Sequence, residues 1–171
     1  MDYLKPTVEM IFYKPHLKRT AIGVRGQSSW IMPYGDTSQI DPATGRERLP
    51  FYQRFYLMLG GETTLRGFSS RSVGPVDAKG LALANKYMLF NAEYYFDISP
   101  MLRTLLYFDA GRSYAEGDPL GFKGYYTSTG VEVRFIMPVL NVPFRLIYGT
   151  NPHREIFHDK GGFKFAVGST F

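Results

Sequence analysis

The chain has 171 residues, enough for one domain or for a piece of a larger one. Aromatic residues make up 16% of the chain, cysteine is absent, and the formal net charge is +5 at pH 7. The lack of cysteine excludes disulfide scaffolds, thiolate metal sites and cysteine nucleophiles. Because the basic residues are scattered along the chain, the charge does not indicate a nucleic-acid partner.

Hydrophobic residues follow a period of two along most of the chain, which predicts β-strands. In chain order, this alternation covers segments 8–12, 22–30, 88–96, 102–111, 125–137, 144–149 and 163–171. Each segment has one apolar, aromatic-rich face and one face of small, polar or charged residues. The chain is therefore predicted to be all-β.

A soluble sandwich and a transmembrane barrel would both alternate in this way. The polar face carries Arg25, Glu132 and Arg134, which fits a lumen better than an outer surface. The apolar face places Tyr94 and Tyr148 towards strand ends, as in the aromatic girdles of membrane barrels. The pattern therefore favours a transmembrane antiparallel β-barrel, with about seven to eight strands present.

The connections between the predicted strands are unequal in length. Short turns near 96–101 and 138–143 alternate with longer polar connections at 116–123 and 151–161. Periplasmic turns and extracellular loops of membrane barrels alternate in the same way. The outlier is the segment from about 33 to 85, because connections of such length are usually functional. We expect it to be a long extracellular loop.

Four motifs follow one another along the chain. They are the loop tetrapeptide Leu65, Arg66, Gly67 and Phe68, the Asn-x-Glu-aromatic sequence at 91–94, the aromatic-x-Asp-x-Gly sequence at 107–111, and the terminal segment FKFAVGSTF at 163–171. In this order, the chain resembles the outer-membrane protein assembly factor superfamily, which includes BamA, TamA and two-partner secretion transporters. The resemblance covers residues 1–171.

The resemblance implies a fold for the whole chain and a role for the tetrapeptide. Residues 1–171 would be the C-terminal part of a BamA-like barrel of roughly sixteen strands, without POTRA domains. The long loop would fold back into the lumen and be locked there, with Glu93, Asp109 and Gly111 as its lumen partners. Because buried carboxylates are costly unless paired, we expect Arg66 to bond Asp109, Glu93 or both. We expect Gly67 to let the loop tip turn.

The C-terminal segment is expected to form the last strand of the barrel and one side of its seam. In the family, this strand ends on an aromatic residue that serves as an assembly signal. The corresponding residues here are Phe163, Phe165, Val167, Gly168 and Phe171.

The implied function is insertion and assembly of outer-membrane proteins through a lateral seam, in the bacterial outer membrane. Two alternatives stay open: a two-partner secretion pore that translocates one client, and a structural barrel or anchor for a fused domain. The implied partners are membrane lipids, client polypeptides and lipoproteins of an assembly complex, with no nucleic acid.

We expect no enzymatic activity, no cofactor and no metal. His16, His153 and His158 lack the spacing of a zinc site. Ser69 and Ser70 do not lie in the G-x-S-x-G sequence of a serine hydrolase.

Overall fold

A computed structural model describes residues 2–42, 45–47, 49, 51–137, 142–152 and 162–168. In chain order, the elements are β1 (Tyr3–Leu4), β2 (Thr7–Pro15), β3 (Thr20–Trp30), β4 (Met32–Pro33), a 3-10 helix (Gly35–Ser38), β5 (Ile40–Asp41), β6 (Arg46–Glu47), α1 (Phe51–Phe55), β7 (Ala84–Ser99), β8 (Leu102–Ala115), β9 (Tyr126–Met137), β10 (Val142–Thr150) and β11 (Gly162–Val167). Among the described residues, no helix is long and apolar enough to cross a membrane.

The described residues form one seven-stranded sheet with the order β11-β10-β9-β8-β7-β3-β2. Every pair of neighbouring strands in it is antiparallel. The longest strands, β7 with 16 residues and β8 with 14, lie in the middle. The predicted antiparallel all-β architecture is confirmed, and the sheet contains the seven predicted strands.

The two faces of this sheet are inverted relative to those of a water-soluble protein. The outer face carries Val24, Phe90, Leu106, Phe108, Val131, Leu146, Phe163 and Phe165, all of them exposed. The polar face carries Arg25, Glu93, Asp109, Glu132, Arg134 and Arg145, all of them buried. Because side chains alternate between faces along a strand, the period-two pattern in the sequence produces this inversion directly.

The long loop covers the polar face. Leu59, Leu65, Phe68 and Val73 of the loop form a buried cluster with Leu89 of β7. Burial of apolar side chains is the main favourable contribution to packing. The loop is therefore held against the sheet by a small core of its own.

The sheet has two edges that are not paired with each other in the described residues. At one edge, β2 pairs with β3 alone, and all of its residues are exposed. At the other edge, β11 pairs with β10 alone. The sheet is therefore open.

The described part of the last predicted strand is β11. It ends at Val167, because Gly168 has a φ of +106°, which an extended strand does not allow. The backbone N–H of Gly168 instead donates to the carbonyl oxygen of Pro143 over 2.9 Å. The prediction for Phe171 lies outside the described residues.

Candidate functional site

Arg66, at the tip of the long loop, lies fully buried against the polar face. Its Nη2 donates to Asp109 Oδ1 over 2.7 Å, and its Nε donates to Asp109 Oδ2 over 3.0 Å. Its Nη1 donates to Glu93 and, over 3.0 Å, to Glu132 Oε2. The bonds expected from Arg66 to Asp109 and Glu93 are therefore present, and Glu132 is a third carboxylate that accepts from the same guanidinium.

Two more arginines complete the charge network. Arg134 donates from Nε to Glu132 over 2.6 Å and from Nη2 to Glu93 over 3.1 Å. Arg145 donates from Nε to Glu132 over 2.6 Å. Among the described residues, the network therefore joins three arginines to three carboxylates, and their formal charges cancel. Removing any one member would leave an unpaired charge away from water, which is strongly destabilising.

Neutral groups orient the central guanidinium. The Arg66 guanidinium carbon lies 3.8 Å from the centroid of the Tyr107 ring, which is a cation–π arrangement. Asn91 donates to Asp109 Oδ1 over 2.7 Å. Burial alone would lower the pKa of Arg66, but the carboxylates of Asp109, Glu93 and Glu132 outweigh it and raise that pKa. Arg66 is therefore a permanent cation.

Side chains of the sheet also hold the backbone of the loop. Five loop carbonyls accept a hydrogen bond from a sheet side chain or from the residue that follows β10: Glu62 from Arg145, Thr63 from Arg25, Thr64 from Asn91, Gly67 from Asn151 and Phe68 from Lys164. The donors come from β3, β7, β10, β11 and the end of β10, so the loop segment crosses most of the sheet. Each bond satisfies a backbone carbonyl of the loop and fixes it against the sheet.

Gly67 lies in the turn at the loop tip, where the backbone of the loop closely approaches the sheet. The φ of Gly67 is not in the left-handed region. A Cβ on Gly67 would lie 2.6 Å from the Cβ of Ser128 and 2.7 Å from the carbonyl oxygen of Thr150. A Cβ on Gly149 would lie 3.2 Å from both Arg66 O and Gly67 Cα. The expectation that Gly67 lets the loop tip turn without a Cβ clash is confirmed: the Phe68 N–H donates to the carbonyl oxygen of Leu65 over 3.1 Å, which places Gly67 inside the turn.

The other predicted residues fall into two groups. Leu65 and Phe68 are buried in the loop core, and Gly111 faces the loop, since a Cβ there would lie 2.7 Å from Leu59 Cδ1. Phe163 and Phe165 lie on the outer face, away from the charge network. The structure therefore does not bring these C-terminal aromatic residues to the loop.

The arrangement is suited to holding the loop. Each carboxylate of the network accepts from at least one guanidinium group, and guanidinium groups do not release protons at physiological pH. In the described part of the chain, no group of His, Cys, Asp and Glu is placed to hold a metal ion. His16 bonds the Tyr94 hydroxyl over 2.7 Å, while His153 and His158 lie outside the described residues.

The sequence motifs did not include all of this network. The sequence pattern placed Glu132 and Arg134 on the polar face, where they pair with each other, but it did not predict the bond from Arg66 to Glu132. Arg145 carries no motif, yet it lies directly opposite Arg134 in the β9–β10 register. The sequence did show that Arg145 alternates with the apolar residues of β10, and this alternation places it on the polar face with the rest of the network.

Comparison with known proteins identifies the family. The whole chain, residues 1–171, matches the model of the Omp85 superfamily domain. The chain belongs to the Omp85 superfamily. The family resemblance drawn from the four motifs is thereby confirmed.

Two relatives of this Omp85 chain are BamA proteins. The chain is 26% identical over 175 residues to the outer membrane protein assembly factor BamA of Nitratidesulfovibrio vulgaris, covering 99% of this chain and 21% of that protein. The crystal structure of BamA from Haemophilus ducreyi lacking POTRA domains 1-3 matches with a TM-score of 0.71 and 20% identity, covering 98% of this chain and 35% of that chain. This chain thus spans about a fifth of the length of the Nitratidesulfovibrio vulgaris protein.

Substitution of Arg66 tests the charge network. We expect Arg66→Ala to release the loop and to cost about 3 to 5 kcal/mol of unfolding free energy, less where water enters. Arg66→Lys should rescue only part of this loss, because an ammonium cannot bond two carboxylates with planar geometry. Urea unfolding and limited proteolysis of residues 34–83 measure the two effects.

The matched control is Arg103→Ala, which removes a half-exposed pair with Asp97 of 2.5 Å. Exposed pairs contribute about 0 to 1 kcal/mol, so this variant should retain loop protection. Equal loop cleavage in Arg66→Ala and wild type would contradict the proposed lock.

Substitution of Gly149 tests the close approach of the loop to β10. Gly149 and Gly162 face each other across the β10–β11 pair. A Cβ on Gly162 would meet nothing within 4 Å, whereas one on Gly149 would strike Tyr107 and the loop backbone. We expect Gly149→Ala to cost about 1 to 3 kcal/mol and to loosen the loop, and Gly162→Ala to be neutral. Similar unfolding midpoints for the two variants would show that the close approach does not matter.

Proposed function

We propose that the chain is a sector of a transmembrane β-barrel in the bacterial outer membrane, where it assists the insertion and assembly of outer-membrane proteins. Membership of the Omp85 superfamily and the BamA relatives support this assignment. The observation that carries it is the combination of an inverted sheet with an unpaired edge strand.

The inverted sheet supports the membrane position. Its outer face exposes aromatic and aliphatic side chains over seven strands, and a surface this apolar is typical of a lipid-facing barrel wall. The polar face then lines the lumen, and the long loop lies inside it. We also propose that the sheet continues into a larger barrel of roughly sixteen strands, as the family resemblance implies.

The edge of β11 supports a lateral seam. An unpaired strand edge is a template for addition of another strand, and β-augmentation supplies affinity through main-chain hydrogen bonds. β11 is only six residues long in the described structure, and its outer neighbour position is open. An incoming client strand would pair there while its apolar side chains continue the outer face.

The loop is connected to this same strand. Lys164 of β11 donates from Nζ to the carbonyl oxygen of Phe68, next to the Arg66 network. In our proposal, the loop tip with its Arg66 network therefore lies next to the β11 edge at which client strands would pair. Client polypeptides, membrane lipids and assembly lipoproteins are the proposed partners, and the proposed activity requires neither a catalytic residue nor a cofactor.

A charge on the outer face tests the membrane position. Leu106 lies in the middle of the sheet on β8 and is half exposed. We expect Leu106→Arg to cost about 2 to 4 kcal/mol of folding free energy in lipid vesicles, because an arginine near the bilayer midplane is poorly solvated. Leu106→Met is the control and should be nearly neutral. In water, an exposed arginine would cost little, so unchanged folding of Leu106→Arg would contradict a lipid-facing surface.

Site-specific photocrosslinking tests the seam. A photoreactive phenylalanine analogue at Phe165 of β11 should crosslink to an outer-membrane client during its assembly. The same analogue at Phe108 is the matched control, because Phe108 shares the outer face but its strand is paired on both sides. Client capture at both positions, or at neither, would contradict assembly through the β11 edge.

A further inference from the structure

A cavity of about 340 Å³ lies at the loop end of β3 and β7. Its lining includes Ser28, Trp30, Met32, Asn85, Lys86 and Leu120. Trp30 and Lys86 are paired opposite each other across these strands. Both alternate in step with Val24 and Phe90, which lie on the outer face. The cavity therefore opens where the apolar wall of the sheet meets the loops.

Two polar groups in this cavity lack partners in the described structure. Lys86 takes part in none of the ion pairs or side-chain hydrogen bonds found among the described residues. Asn85 has a buried side-chain oxygen, Oδ1, with no donor among those residues. Asn85 sits at a register shift between Ala84 and Lys86, and such bulges commonly re-aim a side chain. A buried acceptor without a donor is costly, so a hydroxyl donor in the groove would stabilise this oxygen.

Neighbouring charges do not compensate Lys86. An adjoining cavity of about 300 Å³ shares Met32 and Asn85. It contains Arg54 and Glu116, which pair with each other over 3.4 Å. Among the described residues that line the groove, Lys86 is thus a cation without an ion pair, and the neighbouring Asn85 supplies an acceptor without a donor.

We propose that this groove binds the headgroup of a membrane lipid that carries a phosphate next to hydroxyl groups. The ammonium of Lys86 would pair with the phosphate, and a lipid hydroxyl would donate to Asn85 Oδ1. Lys is a common phosphate ligand because it supplies a compact charge.

The surroundings favour a lipid over a soluble phosphate compound. Trp30 and Leu120 give the groove apolar walls, and tryptophan is typical of the membrane interface. Beside it, Phe90 of the outer face lies 6.3 Å from Phe122 and 6.1 Å from Tyr125 between ring centroids. Acyl chains could therefore continue from the groove along an aromatic surface. The inference rests on the membrane position proposed above.

Native mass spectrometry of the purified full-length protein in detergent tests the site with defined probes. Phosphatidylglycerol offers both phosphate and hydroxyls, phosphatidylcholine offers phosphate without a donor, and diacylglycerol offers a hydroxyl without phosphate. We expect phosphatidylglycerol to be retained best. A phosphorylated glucosamine-disaccharide lipid, which has the same two groups, separates a glycolipid from a phospholipid source. Glycerol 3-phosphate should bind weakly, and binding as tight as that of the lipid would overturn the lipid assignment.

Variants assign the binding to the groove. Lys86→Gln should weaken phosphatidylglycerol retention about tenfold, as expected for loss of a hydrogen-bonded charge. Asn85→Leu should weaken phosphatidylglycerol but not phosphatidylcholine. Lys123→Gln is the matched control, because it removes an exposed charge from the same β8–β9 connection as Leu120 and should change nothing.

The outcomes separate this inference from the proposed function. Retention that is unchanged in Lys86→Gln, or reduced equally in Lys123→Gln, would overturn the lipid site. If Leu106→Arg still lowers the folding free energy in vesicles, the membrane position stands and only the lipid site fails.

Discussion

Charge balance on the polar face is the constraint on which the rest of the structure depends. Glu93, Asp109 and Glu132 come from three adjacent strands, and two of their three cationic partners, Arg134 and Arg145, also come from the sheet. The third, Arg66, is supplied by the loop. Without the Arg66 guanidinium, the covered polar face would hold an uncompensated carboxylate, and without the sheet, the loop would have no site for its buried arginine. Loop and sheet therefore depend on each other.

The inverted distribution of side chains gives the two faces different tasks. The polar face holds the loop through ion pairs and through hydrogen bonds to successive carbonyls. The outer face makes few internal contacts and exposes large apolar groups, such as Phe108 and Phe163. Such a surface is stable only against an apolar environment, which connects the charge network inside to the proposed lipid environment outside.

The two proposed interaction surfaces lie at different places on the same sheet. The β11 edge offers main-chain groups to a polypeptide, while the groove beside Lys86 offers one cation and one acceptor to a lipid headgroup. Lys164 joins the first surface to the loop tip. The groove lies where the loop leaves β3 and enters β7. The long loop is thus in contact with one surface and adjacent to the other.

Local sequence patterns were sufficient for the strands and the faces, and the family resemblance supplied the central contact of Arg66 with the carboxylates. Alternation at 102–111 placed Asp109 on the polar face because successive side chains of a strand point to opposite sides, and a buried carboxylate needs a cation. Local patterns did not predict which further residues join the network. Arg145 joined it through cross-strand register, the backbone of β10 comes close to Gly67, and the groove at Asn85 lies at a register shift in β7. These features depend on residues far apart in the chain meeting in space. The sequence by itself determined which side chains face which way, and only the tertiary structure decided which of them meet, because register and loop path are properties of the packed sheet.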